Sequence, residues 1–289
     1  MKKYNLLFLG CVLSFFACEK EIKFKGDETE PQLTLNSFLT PDTTVGVHLS
    51  KSRFFLSNEA GFPNVLNAVV TLSKNGEVIE TLRETGDGYY AANYRPAIGD
   101  RLQLKASAPG LNPVEASADI LPAPLILSVE TTNPSNDDNF IVTLKDPSET
   151  ADYYRIDLSA RFYDEKNDVY YTNSVYFDSD DIVFDSGVND PFGENRNTFY
   201  VFSDELFNGK EYKLKLNVSN AYQEAKQEVY VDLQHITKDY YLYLKSRDAA
   251  GTGNEAGGLF TEPVQIYNNI RGGVGILGSY TSSVYRLSW

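Results

Sequence analysis

Residues 67–83 read NAVVTLSKNGEVIETLR. Two runs with apolar side chains at alternate positions flank Asn75-Gly76. Alternation with period two is the mark of a half-buried strand. Asn-Gly supplies the two positive-φ positions of a type I′ turn, so this stretch is expected to be a tight β-hairpin. Toward the N-terminus, residues 32–38 (QLTLNSF) and 43–50 (TTVGVHLS) alternate in the same way. Toward the C-terminus, Gly86-Asp87-Gly88, residues 96–100 (PAIGD) and Ala108-Pro109-Gly110 are turns. They separate further strands at 89–94, 101–108 and 114–120. Seven short strands without a helical period describe a β-sandwich over residues 32–122.

Leu121-Pro122-Ala123-Pro124 is a stiff, extended break. A second β-rich domain, 123–289, is expected after it, with strands at 140–145, 153–162, 170–177, 198–203, 211–219 and 226–234. One helix interrupts them at 238–249. Thr237 is placed as its N-cap, Asp239 in its first turn, and Gly251 just past its end. The glycine-rich ending reads as loop plus one or two final strands. The expected fold is mainly β: an immunoglobulin- or transthyretin-like β-sandwich, then a second sandwich-like domain with one short helix.

The chain starts with Met1-Lys2-Lys3 and an apolar stretch at residues 6–17, too short to cross a bilayer as a mature helix. Residues 1–17 are therefore expected to be a signal peptide. Phe15-Phe16-Ala17-Cys18 resembles a bacterial lipobox, with Phe15 where Leu is usual. Cys18 is the expected lipid-attachment site, since Cys11 would leave too short an apolar core before it and would itself leave with the signal. Acyl chains anchor firmly, each buried methylene adding roughly 0.8 kcal/mol. Residues 18–31 are charged, end in Pro31 and read as a flexible leash.

The formal charge is −14. Loss of residues 1–17 removes two lysines and no acids, so the mature chain is more acidic still. Such a surface repels nucleic acid and anionic lipid headgroups. With two cysteines and two histidines in the chain, a Cys/His zinc site is excluded by ligand count. His48 alternates with Val47 and Leu49 and reads as a solvent-facing strand residue. His235 reads as a polar group satisfying a turn. No G-x-S-x-G elbow occurs, and the Asn268–Gly278 segment lacks the Lys-Ser/Thr of a phosphate loop. The densest acidic run holds Asp178, Asp180 and Asp181, with Asp185 and Asp190 beyond. Its spacing lacks the EF-hand order, so these are weak metal candidates and a solvated loop is the plainer reading. No metal, cofactor or catalytic residue is expected.

Several short motifs then combine: Cys18 and its leash, Asp152-Tyr153-Tyr154-Arg155, Phe202-Ser203-Asp204, Phe207-Asn208-Gly209, Ile236 through Tyr241, Glu262-Pro263-Val264, and Asn269 through Gly278. Together they resemble the DUF4249 family, outer-membrane lipoproteins of Bacteroidetes. The order of the N-terminal strands is similar to the carboxypeptidase-regulatory or transthyretin-like sandwich. The family resemblance implies a lipid-anchored outer-membrane protein. Glu19-Lys20-Glu21 is similar to the surface-export signals of such lipoproteins, which favours the cell surface over the periplasmic face. It further implies a noncatalytic accessory or ligand-capture subunit of a TonB-dependent transporter, with the barrel as partner and an unknown small ligand. A surface adhesin or glycan-binding module is the alternative, and a carboxylate-based hydrolase is the third reading.

Overall fold

The computed structural model describes residues 30–54, 61–131, 138–148, 150–184, 199–218, 227–255 and 265–288. Cys18 and the signal peptide lie outside them.

The hairpin forms as its sequence dictates. Strand β3 (Val69–Lys74) turns through Asn75 (φ 50°) and Gly76 (φ 93°) into β4 (Glu77–Thr81). With β7 (Arg101–Ser107) and β8 (Val114–Asp119) they form a sheet of order β4-β3-β7-β8. Facing it are β1 (Leu33–Leu39), β2 (Gly46–Lys51), β5 (Arg83–Gly86) and β6 (Tyr89–Ala91). Alternate residues of both layers, among them Leu33, Leu35, Leu49, Leu72, Leu102 and Leu104, form one buried cluster.

A second cluster lies on the other side of Leu121–Pro124. It is built from Phe140, Val142, Ile156, Leu158, Leu214, Val231 and their neighbours. One layer there is a sheet of β9 (Leu125–Thr131), β10 (Asp138–Lys145), β13 (Phe177–Asp178) and β15 (Glu211–Val218), in the order β13-β15-β10-β9. The other layer holds β11 (Tyr153–Asp164), β12 (Val169–Ser174), β14 (Phe199–Ser203), β16 (Gln227–Ile236) and β17 (Val274–Ser288). One long edge of β11 is divided between two partners, β14 along its first half and β12 along its second.

The two outer layers are one sheet. β17 pairs antiparallel with β16 and parallel with β1, giving nine strands in the path β12-β11-β16-β17-β1-β2-β6-β5 with β14 beside β11. Leu277 of β17 belongs to the first cluster, while Tyr285 and Leu287 pack on the second.

The Pro-rich segment is stitched to this strand. Ser279, Thr281 and Ser283 stand at alternate positions of β17. Their hydroxyls donate to the carbonyls of Asp119, Pro122 and Pro124, respectively. Two of these acceptors belong to prolines, which have no N–H with which to join a ladder. Hydroxyls on one face of β17 satisfy their carbonyls instead.

Helix α1 (Lys238–Glu255) begins where the sequence places it but continues through Gly251. The Thr237 carbonyl accepts the Tyr241 N–H, as at a helix start. The Thr237 hydroxyl accepts the Ser279 N–H at 3.2 Å, so it ties the helix to β17. Tyr240 and Leu244, four residues apart on one face, bury with Ile236 and seat the helix on the outward side of the sheet.

Candidate functional site

Alternation in the long strands decides what the outward face displays. In β11, Tyr154, Ile156, Leu158 and Ala160 are buried, so Arg155, Asp157, Ser159 and Arg161 point to the opposite face. In β16, Val229, Val231 and Leu233 are buried, and Tyr230, Asp232 and Gln234 point outward. Beyond the helix this face carries a groove of about 540 Å³, lined by Ser159, Arg161, Tyr170, Thr172, Tyr230, Asp232 and Val284.

Its side chains are held from below. The Arg161 guanidinium lies 4.0 Å from the centre of the Tyr170 ring. Tyr230 donates to Glu228 at 2.6 Å, and Arg286 pairs with the same carboxylate. Asp232 accepts from Gln234 Nε2 at 2.8 Å through Oδ2, while its Oδ1 is enclosed without a hydrogen-bond partner. Asp157 stands directly opposite Asp232 on β11. It accepts from Arg155 at 2.8 Å through Oδ1 and leaves Oδ2 without a partner. Burial pushes both carboxyls above their ordinary value of 3.8, and the Asp232 charge adds to the rise at Asp157. The Arg161 guanidinium, the Ser159 and Thr172 hydroxyls, the Asp232 side chain and the exposed Tyr170 ring together suit a ligand rich in hydroxyls, which hydrogen-bonds to polar side chains and lays a C–H face on the aromatic ring.

A second group of polar side chains is closed off from solvent. Asp152 precedes β11 and Asp204 follows β14; because Tyr153 pairs with Ser203, these two aspartates are brought side by side. The Asp204 N–H donates to the Asp152 carbonyl at 3.0 Å. Asp146, just after β10, completes the group, and one oxygen of each carboxylate lies within 4.8 Å of the others. The three are 1%, 4% and 3% exposed for Asp146, Asp152 and Asp204. Asp146 accepts from the Tyr154 hydroxyl at 2.6 Å and the Gly209 N–H at 2.7 Å. Asp152 accepts from the Thr150 hydroxyl, 2.9 Å from each carboxylate oxygen. Asp204 Oδ2 has no partner. Burial, aided by the charges of Asp146 and Asp152, holds the Asp204 carboxyl above the usual range. His235 Nε2 lies 3.0 Å from Asp152 Oδ1, and its Nδ1 lies 2.9 Å from the Pro122 carbonyl oxygen. Both ring nitrogens face oxygens, so the imidazole lies between the Pro122 carbonyl and the Asp152 carboxylate, and its tautomer sets which of the two it donates to.

The residues singled out in the sequence are placed differently. Asp178 and Asp180 are exposed. Asp181 is used internally, accepting from the Tyr212 hydroxyl at 2.6 Å. Asp185 and Asp190 lie outside the described residues. Among the described residues, the only set of three acidic side chains with converging oxygens is Asp146, Asp152 and Asp204. Asp152 and Asp204 open and close motifs quoted above, but nothing in those motifs tells that their carboxylates converge. His48, as expected on a strand, is half-buried and bonds Asn64 across 3.2 Å. His235 does satisfy an irregular segment, the Pro122 carbonyl, but it also meets Asp152. The glycines of the final segment are places of close approach. A Cβ on Gly278 would lie 2.8 Å from Tyr240 Cβ, and one on Gly273 would overlap the Leu33 carbonyl oxygen.

Fold and site define a mainly β protein of paired sandwiches with a polar groove on one continuous sheet. The chain belongs to the family described as Domain of unknown function (DUF4249), whose family model matches residues 19–286. No curated protein matches the sequence. A solved protein from Bacteroides uniformis ATCC 8492, named a "putative carbohydrate binding protein", is among the structures the chain is similar to. Sequence identity is 13%, covering 89% of this chain and 99% of that one, with a TM-score of 0.23.

Proposed function

We propose that this chain is a noncatalytic, lipid-anchored outer-membrane protein that captures a ligand for a TonB-dependent transporter, facing the cell surface. The observation that carries the binding reading is the outward groove itself, in which Arg161, the exposed Tyr170 ring, Tyr230 and Asp232 line one cavity. Support for a noncatalytic role comes from the enclosed aspartates. They and His235 are too buried for a substrate to reach. The transporter partnership rests on resemblance to accessory lipoproteins of the family. The groove chemistry alone also favours a second reading, a glycan-binding surface module that works without a barrel.

The test is a mild-detergent pull-down of the full chain from native outer membranes, with mass spectrometry. A large β-barrel recovered in stable proportion supports the transporter reading. Absence of any barrel overturns it. Binding of neutral oligosaccharides by the purified chain, lost in Tyr230→Ala and Asp232→Asn, then carries the glycan-binding reading. Point variants are used because deleting residues 32–122 would remove β1 from its pairing with β17.

A further inference from the structure

We propose that Asp146, Asp152 and Asp204 hold a hard divalent cation, Ca²⁺, where the β10–β11 loop meets the turn after β14. The first ground is convergence. Ca²⁺ sits about 2.3–2.6 Å from each oxygen ligand, so ligand oxygens around one ion stand up to about 5 Å apart. The three carboxylates offer oxygens within 4.8 Å of one another.

The second ground is independent of convergence. Asp204 is 3% exposed, and its Oδ2 is enclosed with no donor. A buried acceptor without a partner costs about 1–3 kcal/mol, more when it is charged. The donors in this space face the other two carboxylates: Tyr154 and Gly209 serve Asp146, while Thr150 and the His235 ring lie against Asp152. A cation supplies what Asp204 lacks.

The frame is also rigid enough to keep the oxygens together. The Asp146 N–H donates to the Lys210 carbonyl at 3.1 Å, and Asn208 Nδ2 donates to the Thr150 carbonyl at 2.9 Å. Gly209 (φ +75°) lies so close to the neighbouring loop that a Cβ there would be 2.6 Å from Ser148 Cβ. All-oxygen anionic ligands favour Ca²⁺ over Zn²⁺. Enclosure favours it over Mg²⁺, which keeps several of its waters.

The experiment uses the purified full chain, stripped with chelator, and two probes. Tb³⁺ luminescence sensitised by tyrosine reports occupancy, and the thermal midpoint reports linkage to folding. The expected result is saturable Tb³⁺ emission displaced by Ca²⁺, with a midpoint that rises with Ca²⁺ concentration. Asp204→Asn, which keeps the shape, should weaken both responses at least about tenfold, because ligand charge sets affinity. A double variant, Asp178→Asn with Asp180→Asn, should leave both unchanged and so excludes loose surface binding. Wild-type protein with no Ca²⁺-dependent shift and no saturable emission overturns the proposal, whether or not Asp204→Asn folds. A Ca²⁺ response retained in Asp204→Asn also overturns it.

Discussion

Gly275 of β17 lies in register with Leu35 of β1, at φ +126°, against the Leu35 backbone. A Cβ at Gly275 would overlap the Leu35 carbonyl oxygen, so the parallel pairing that joins the last strand to the first has no room for one. Gly275→Ala combines overlap with a backbone angle that L-residues avoid, and is expected to destabilise by about 3 kcal/mol. The thermal midpoint should fall by roughly 6–12 °C at this chain length. Gly76→Ala is the control. Its φ is also positive, but a Cβ there meets nothing within 4 Å, so the loss should be nearer about 1 kcal/mol. Equal midpoints for the two variants would contradict the close approach of β1 and β17.

Asp232 should weaken the fold at neutral pH. Burial raises its carboxyl above 3.8 in the folded chain, so the ionised form is disfavoured there relative to the unfolded chain. That penalty exists at neutral pH and disappears as pH falls through the raised value. Asp232→Asn is expected to raise the midpoint at pH 7 by a few degrees, for a relief on the order of 1 kcal/mol. The gap should close as pH approaches 3.8. A gap that stays constant with pH would show that the charge is not its cause.

Asp100 has the opposite sign. Burial works against its charge, but the Lys74 ammonium, the Tyr94 hydroxyl and the Ala97 N–H together hold its carboxyl below 3.8. Lys74 lies 2.8 Å from it, with the lysine side chain 35% exposed. The contribution to stability is present above 3.8 and is lost as pH falls through the lower, folded value. Asp100→Asn should destabilise by about 2 kcal/mol at neutral pH, the ion pair counting little and the buried hydrogen bonds most. Urea titrations at neutral and acidic pH measure both ends of this difference, which should shrink in acid.

Cys18→Ala should move the protein from the membrane fraction to a soluble or unprocessed form. Radiolabelled palmitate is the direct probe, and label that persists in the variant places the acyl chains elsewhere.

Much of the architecture was legible because alternation and turn chemistry act locally. The hairpin at Asn75-Gly76, and the strands β1, β2, β7 and β8, follow from residues within a few positions of each other. β17 was not legible at full length. Its fifteen residues carry glycine and serine where a core strand carries branched side chains, and its parallel partner β1 lies at the far end of the sequence. The glycines there record close backbone approach, and the hydroxyls record the needs of Pro122 and Pro124. The helix runs past Gly251 to Glu255, so this glycine sits within the helix and does not cap it. The aspartate cluster was hidden for another reason. Asp146, Asp152 and Asp204 come from separate loops, and only the pairing of β11 with β14 aligns the last two.

The pairing of β1 with β17 also sets an order on biogenesis. β1 finds its parallel neighbour in β17, a strand synthesised only after every other strand of the shared sheet. Until then β1 has β2 on one edge and nothing on the other, an open template for wrong partners. An emerging chain can close the β4-β3-β7-β8 layer early, but the shared sheet waits for β17. Non-local pairing of this kind slows folding. A chain lacking β17 would leave both β1 and β16 with bare edges, and would be a substrate for quality-control proteases rather than a partly working protein.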